Sequence, residues 1–142
     1  MSPQIGPYFF YGSLQHAPLL SHILSLPTAT SPTPVLRPAK ILAHRIKLWG
    51  PYPALVQSTT PTSEVHGMVY DVKTEEHARR LARYETERYE AMKMDLEYMD
   101  QEGGKGECWV FRWCGLEGEG EGDLKDGNWE LGLFLMRMGI DW

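Results

Sequence analysis

The sequence predicts an α+β fold with a mixed sheet, either open or closed into a small barrel. Two observations predict it. Segments of strand and helix period follow one another in the order strand, helix, several strands, helix, two strands, helix. No segment repeats at a fixed spacing, so a regular βαβ array or a solenoid is not expected. A chain of 142 residues is of single-domain size and can bury a core without metal or disulfide help. Residues 1–142 are read as one domain.

The first element is the stretch "YFFYGSLQ", Tyr8 to Gln15. Its aromatic run suits a buried strand, and the Gly-Ser pair suits a turn. Leu19, Leu20, Ile23 and Leu24 follow at helical spacing. The segment therefore reads strand, tight loop, helix. "SLPTATSPTPVLRP" is rich in Pro, Ser and Thr and reads as an irregular loop. "ILAHRIKLWG" alternates as one strand, with Leu42, His44, Ile46 and Leu48 on one face and Ala43, Arg45 and Lys47 on the other. A turn at "GPYP" leads to short strands in "ALVQ" and "VHGMVYDV".

"KTEEHARRLARYE" switches to helical period. Thr74 is its predicted N-cap, with Glu75 and Glu76 in the first turn, where the helix dipole favours anions. "YEAMKMDLEYMD" returns to period two, with Met92, Met94, Leu96 and Tyr98 on one face, and "ECWVFRWC" is a further strand. "GLEGEGEGDLKDG" is a polar tract expected to be a solvated loop or hairpin tip. "NWELGLFLMRMG" reads as a last helix capped by Asn128, with Leu131, Phe134, Leu135 and Met138 as its apolar stripe.

Composition narrows the function. A formal net charge of -5 argues against nucleic acid as a partner, since phosphate backbones demand clustered Lys and Arg. No basic amphipathic stripe or spanning apolar run points to a membrane. The N-terminus lacks a charged segment followed by an apolar one, so no signal peptide is expected. Cys108 and Cys114 lie on one predicted strand, about 20 Å apart at roughly 3.3 Å per residue, too far for a disulfide. Reduced thiols without a signal peptide point to a cytoplasmic protein. The five histidines form no metal-binding spacing, so no metal is expected. Ser13 is not in a GxSxG elbow, because Tyr11 and Gln15 flank it at two residues. No Gly-Lys-Ser/Thr follows it either, so the loop is not a P-loop.

Glu85 is the most informative residue. Ala78, Leu81, Ala82 and Glu85 fall at i, i+3, i+4 and i+7, on one helix face. Three of the four are apolar, so the face should pack inward and carry Glu85 with it. Burying a carboxylate costs several kcal/mol unless it is paired or protonated. Burial raises its pKa, which suits acid–base work near neutrality. The competing reading is a frayed helix end, with Glu85 in water or paired with Arg88.

Four blocks occur in order: "YGSL" at Tyr11 to Leu14, "YPALV" at Tyr52 to Val56, "HGMVYDV" at His66 to Val72, and "LARYETERYEAMKMDL" at Leu81 to Leu96. Together they resemble the γ-glutamylcyclotransferase-like family, especially its AIG2-like branch, which includes γ-glutamylamine cyclotransferases. The resemblance covers roughly residues 8 to 113. It implies a small mixed β-barrel flanked by helices. It also implies cyclisation of a γ-glutamyl amine or amino acid to 5-oxoproline, with release of the amine and without a cofactor. The family's acid–base glutamate closes a Leu-Asp-x-Phe/Tyr-Glu pattern. That pattern falls here on Leu81, Ala82, Arg83, Tyr84 and Glu85, so the family position and the inward carboxylate coincide. Ala82 stands where Asp is common, Thr86 where Gly is common, and Ala91 where Arg often occurs, while Tyr89 fits.

The reaction suits these residue types. One carboxylate can take a proton from the substrate's α-amine and return one to the leaving amine. The nucleophile is intramolecular, so no covalent enzyme intermediate is needed. The free α-carboxylate needs anchoring, which backbone amides at a loop-to-helix junction supply. The resemblance thus makes Glu85 the catalytic residue, and Tyr11, Gly12, Ser13, Leu14, Tyr52 and Tyr89 the substrate-binding residues. The alternatives are a binding module that kept the pocket and lost turnover, or a tailoring enzyme of specialised metabolism on the same fold.

Overall fold

The computed structural model describes residues 4–26 and 35–139. Most of the predicted loop between the first helix and second strand lies outside them. The first strand, β1 (Gly6–Phe10), leads through a single 3-10 turn at Ser13–Gln15 into α1 (Ala17–Leu24). Then come β2 (Arg37–Leu42), β3 (His44–Trp49), β4 (Tyr52–Gln57) and β5 (Glu64–Val72). After α2 (Glu75–Glu85) the chain forms β6 (Tyr89–Tyr98) and β7 (Lys105–Trp113), and it ends in α3 (Leu131–Arg137).

Five strands close into a barrel in the order β1-β5-β2-β6-β7. The seam between β1 and β7 is parallel, with Tyr8 opposite Trp109. The other barrel pairings are antiparallel. The closed, mixed, helix-flanked form of the expected α+β fold is therefore the one present. β3 and β4 form a separate antiparallel hairpin.

The aromatic run of β1 follows from burial on both faces. Phe9 points into the barrel, with Ala39, Ile41, Val69, Leu96 and Val110. Tyr8 and Phe10 point outward, beneath Leu20 of α1 and Leu81 of α2. Gly67 of β5 makes this layering possible: a Cβ there would lie 2.3 Å from the Phe10 carbonyl oxygen, so only glycine permits so close a backbone approach. Strand β4 also reads as a continuous buried run from Pro53 to Val56. Leu55 joins the barrel core, whereas Ala54 and Val56 pack with Trp113 and Leu124.

The helices behave as their caps require. Thr74 Oγ1 accepts from the His77 N–H at 3.1 Å, satisfying one of the donors left open at a helix start. Ala78 and Leu81 are fully buried. Ala82 is exposed, against expectation. The inward stripe of α2 is therefore narrower than predicted, running through Ala78, Leu81 and Glu85.

Three other expectations are corrected. The predicted strand from Ile41 to Gly50 is broken at Ala43, whose φ is 62°. Ala43 donates to the Ser63 carbonyl at 2.8 Å and accepts from the Ser58 N–H at 2.9 Å. The chain therefore leaves the barrel there, Leu42 is left exposed, and Leu42 shares no face with Ile46 and Leu48. The last helix begins at Leu131 behind Glu130, not behind Asn128. The Gly-Glu tract is not simply solvated: Leu124 is buried, and Lys125 pairs through its backbone with Leu48 at 2.7 and 2.8 Å. Both cysteines are free, Cys108 buried and Cys114 exposed.

Candidate active site

The loop after β1 is the first component of the site. The Tyr11 hydroxyl donates to the Phe111 carbonyl and accepts from the Leu55 N–H at 3.3 Å. Tyr11 is thereby clamped between β7 and β4, and the residues after it are fixed in place. Gly12 offers its carbonyl to the Gln15 N–H and side chain. The N–H groups of Gly12, Ser13 and Leu14 have no acceptor among the described residues. Successive unpaired backbone donors are groups of the kind that anion-binding loops use. The Ser13 hydroxyl is engaged elsewhere, 2.7 Å from the Tyr84 hydroxyl.

Glu85, the last residue of α2, is the second component. It lines the same cavity as Tyr11, Gly12, Ser13 and Leu14. Part of the residue faces that cavity, so some surface stays accessible, but the carboxyl is ringed by protein. No hydrogen bond or ion pair among the described residues reaches it. Burial without a partner pushes its pKa from 4.5 up to about 8. Burial also raises the phenols of Tyr11, Tyr84 and Tyr89, and the Glu85 charge raises them further. These phenols stay neutral at physiological pH and can donate hydrogen bonds.

Arg88 does not pair with Glu85, so the ion-paired form of the competing reading is absent. Its guanidinium is taken by Glu119, with Nε–Oε1 at 3.1 Å, and lies 4.5 Å above the Trp49 ring. Tyr89 binds the Pro53 carbonyl through its hydroxyl at 2.8 Å, tying the start of β6 to β4. Tyr52 is partly exposed at the opening. Its ring lies 5.8 Å from Trp49 and 5.8 Å from Phe134.

The cavity these elements enclose has a volume of about 560 Å³, within the range of small-molecule sites. A larger groove of about 830 Å³ runs beside Lys40, Lys93 and Lys105. Size does not favour it, because no buried ionisable group faces it. Among the described residues no group of His, Cys, Asp and Glu could hold a metal. No helix among them is long and apolar enough to cross a membrane.

All seven residues singled out from the sequence, Glu85, Tyr11, Gly12, Ser13, Leu14, Tyr52 and Tyr89, line this one cavity. Sequence reasoning missed Trp49, Phe134 and Met138, which line it too. It also missed Glu119, which neutralises Arg88. Only their aromatic, apolar or charged character could have flagged them, since the cavity they line is assembled from segments remote in the chain.

The sequence matches the family described as "Gamma-glutamyl cyclotransferase, AIG2-like" over residues 8–131. No curated protein matches it significantly. The fold resembles several solved structures. An Arabidopsis thaliana protein known in solution shares 22% identity at a TM-score of 0.68, covering 96% of this chain and 76% of its own. A mouse AIG2-like protein shares 16% identity at a TM-score of 0.56, covering 89% and 98%. A yeast γ-glutamyl cyclotransferase specific to glutathione shares 12% at a TM-score of 0.58, covering 96% and 86%. At such identities these likenesses speak for the fold alone. The match over most of the chain, on the barrel that the family resemblance implied, shows that this protein belongs to the AIG2-like γ-glutamyl cyclotransferase family.

Proposed function

We propose that the protein cyclises a γ-glutamyl amine or amino acid to 5-oxoproline and releases the amine, with Glu85 as the single acid–base group. One observation carries the reading: an unpaired carboxyl with a raised pKa faces the same cavity as three unpaired backbone amides. The amides of Gly12, Ser13 and Leu14 would take the substrate's α-carboxylate. The α-ammonium would then lie near Glu85, and its positive charge would favour the ionised carboxylate. Glu85 accepts the proton from that ammonium. The freed α-nitrogen attacks the γ-carbonyl carbon, and Glu85 gives its proton to the leaving nitrogen as the bond from carbon to that nitrogen breaks. The carboxylate so regenerated takes the second proton from the attacking nitrogen, leaving the neutral lactam, and the departing amine carries that proton away as an ammonium. Tyr11 and Tyr89 hold the walls against β7 and β4, and Tyr52 flanks the opening. The same reading takes the chain as one domain, since Phe134 and Met138 near the C-terminus line the cavity begun by β1.

The test is mass spectrometry of reactions with a panel of γ-glutamyl amines, γ-glutamyl amino acids and glutathione. Appearance of 5-oxoproline with the matching free amine is expected. Binding of panel members without turnover would favour the non-catalytic module.

A further inference from the structure

Resting on that cyclotransferase reading, we propose that the segment after β7 builds the leaving-group half of the cavity. Through Glu119, Phe134 and Met138 it selects an amine that carries a bulky apolar substituent and no carboxylate.

The charge pattern comes first. Among the described residues lining the cavity, Arg88 is the one cation and Glu85 the one acid. Arg88 already has its charge matched by a protein carboxylate. Glu119 engages it through both carboxylate oxygens, Oε1 at 3.1 Å from Nε and Oε2 at 3.3 Å from Nη2. Such two-oxygen pairing of a guanidinium is among the strongest charge-assisted contacts. Glu119 is itself held, accepting the Leu116 N–H at 2.6 Å. Those two contacts keep its carboxyl below the ordinary 4.5, so it stays ionised. A γ-glutamyl amino acid would bring a second carboxylate to this region, and no unengaged cation lines the cavity to receive it. Desolvating that carboxylate without a partner is costly.

The shape agrees. Phe134 lies against Tyr52 at 5.8 Å and against Trp129 at 5.5 Å. Trp129 is fixed by donating to the Pro51 carbonyl at 3.0 Å. Met138 continues the wall one turn further along; its flexible thioether adapts to varied apolar shapes. Trp49 stacks on Tyr52 with ring centroids 5.8 Å apart and lines the same cavity. The γ-glutamyl end of a substrate needs the amides and Glu85, so the remaining space is bounded mainly by aromatic and aliphatic surface.

Three substrates isolate these features: γ-glutamyl-2-phenylethylamine, γ-glutamylethylamine, which lacks the ring, and γ-glutamylphenylalanine, which adds a carboxylate. The kcat/KM for 5-oxoproline release is measured for the wild-type chain, Phe134→Ala and Glu119→Gln. The wild type should prefer the phenylethylamine compound over each of the others by about tenfold or more. Phe134→Ala should cut the phenylethyl-to-ethyl ratio by about tenfold. Glu119→Gln releases Arg88 and should cut the preference over the phenylalanine compound by a similar factor. If Phe134→Ala loses its fold by circular dichroism, Phe134→Leu is read by the same ratio. Glu119→Gln reports independently of both.

A wild type that prefers γ-glutamylphenylalanine, or folded variants that leave both ratios unmoved, would overturn the subsite. Release of 5-oxoproline from glutathione or γ-glutamylphenylalanine but from neither amine would do so too, while the reaction itself would stand. No 5-oxoproline from any γ-glutamyl compound would instead overturn the cyclotransferase reading, and the subsite with it.

Discussion

The Ser13 hydroxyl and the Tyr84 hydroxyl lie 2.7 Å apart across a separation of 71 residues. This contact ties the loop after β1 to the last turn of α2, beside Glu85. It also uses up the Ser13 side chain, leaving the backbone amides as the donors free to meet a ligand. Ser13→Ala should lower stability by about 1 kcal/mol, the usual net worth of such a bond. Tyr84→Phe should cost about the same, and the double variant little more than either single one. Urea midpoints of the four proteins measure it. Fully additive losses would show that the two hydroxyls act separately.

Gly12 sits where a side chain has little room. A Cβ there would stand 3.2 Å from Pro53 Cγ, tighter than ordinary contact. Gly12→Val must shift either the Pro53 ring or the loop, and its branches would flank the unpaired amides. It should raise KM by about tenfold or more, on the scale of a lost positioning contact, and by more than Ser13→Ala does. Equal and small effects from the two variants would count against recognition by backbone amides.

The legible and illegible parts of this molecule divide by the range of the forces involved. Strand β1 could be read because both of its faces are buried, so nearly every residue is apolar or aromatic. Glu85 could be read because three apolar neighbours at helical spacing pointed the same way, although Ala82 lies off the buried stripe. The break at Ala43 could not. Alanine carries no signal for a positive φ, and the conformation is held by Ser58 and Ser63, which only the folded chain brings near. The outer half of the cavity was hidden for the same reason. Phe134 looks like any helix residue until Tyr52 and Trp129 stand beside it.

Thr86 follows Glu85 at φ 71° and ψ 178°, a region nearly reserved for glycine. It is the position at which glycine is common in the family pattern the sequence resembles. A β-branched residue there costs about 1–3 kcal/mol. Thr86 is exposed, so replacing it sacrifices little packing. Glycine returns some of the gain through the greater freedom of its unfolded chain, about 0.4–1 kcal/mol. Thr86→Gly should therefore stabilise the protein by about 1 kcal/mol, read as a higher urea midpoint at unchanged m-value. A lower midpoint would mean that the threonine makes a contact outweighing its backbone strain.

Burial of Glu85 also fixes the direction of a pH effect on stability. Its pKa rises from 4.5 to about 8 on folding, so the folded chain holds the proton more tightly than the unfolded one. Between those values the unfolded state binds fewer protons, and stability falls as pH rises. The contribution is fully present below about pH 4.5 and lost by about pH 8. Glu85→Gln has no such proton. The Tm of the Gln variant should therefore gain on that of the wild type between pH 5 and pH 9. A constant Tm difference across that range would mean that the carboxyl is not desolvated.

The same group governs the rate if it is the acid–base residue. Glutamine nearly matches glutamate in shape but cannot shuttle a proton. Glu85→Gln should keep the fold and the affinity for γ-glutamyl compounds, and it should lower kcat by about 10²–10⁴-fold. In the wild type the base form of Glu85 is depleted as pH drops below about 8. The kcat/KM for 5-oxoproline release, which reports the free enzyme, should fall on that acidic side. The substrate's α-ammonium titrates at higher pH, so the alkaline limb needs a separate binding titration before it is assigned. Competition binding with a slow γ-glutamyl analogue separates lost affinity from lost chemistry in the variant. Near wild-type release of 5-oxoproline by Glu85→Gln would rule out Glu85 as the proton shuttle, whatever else the cavity binds.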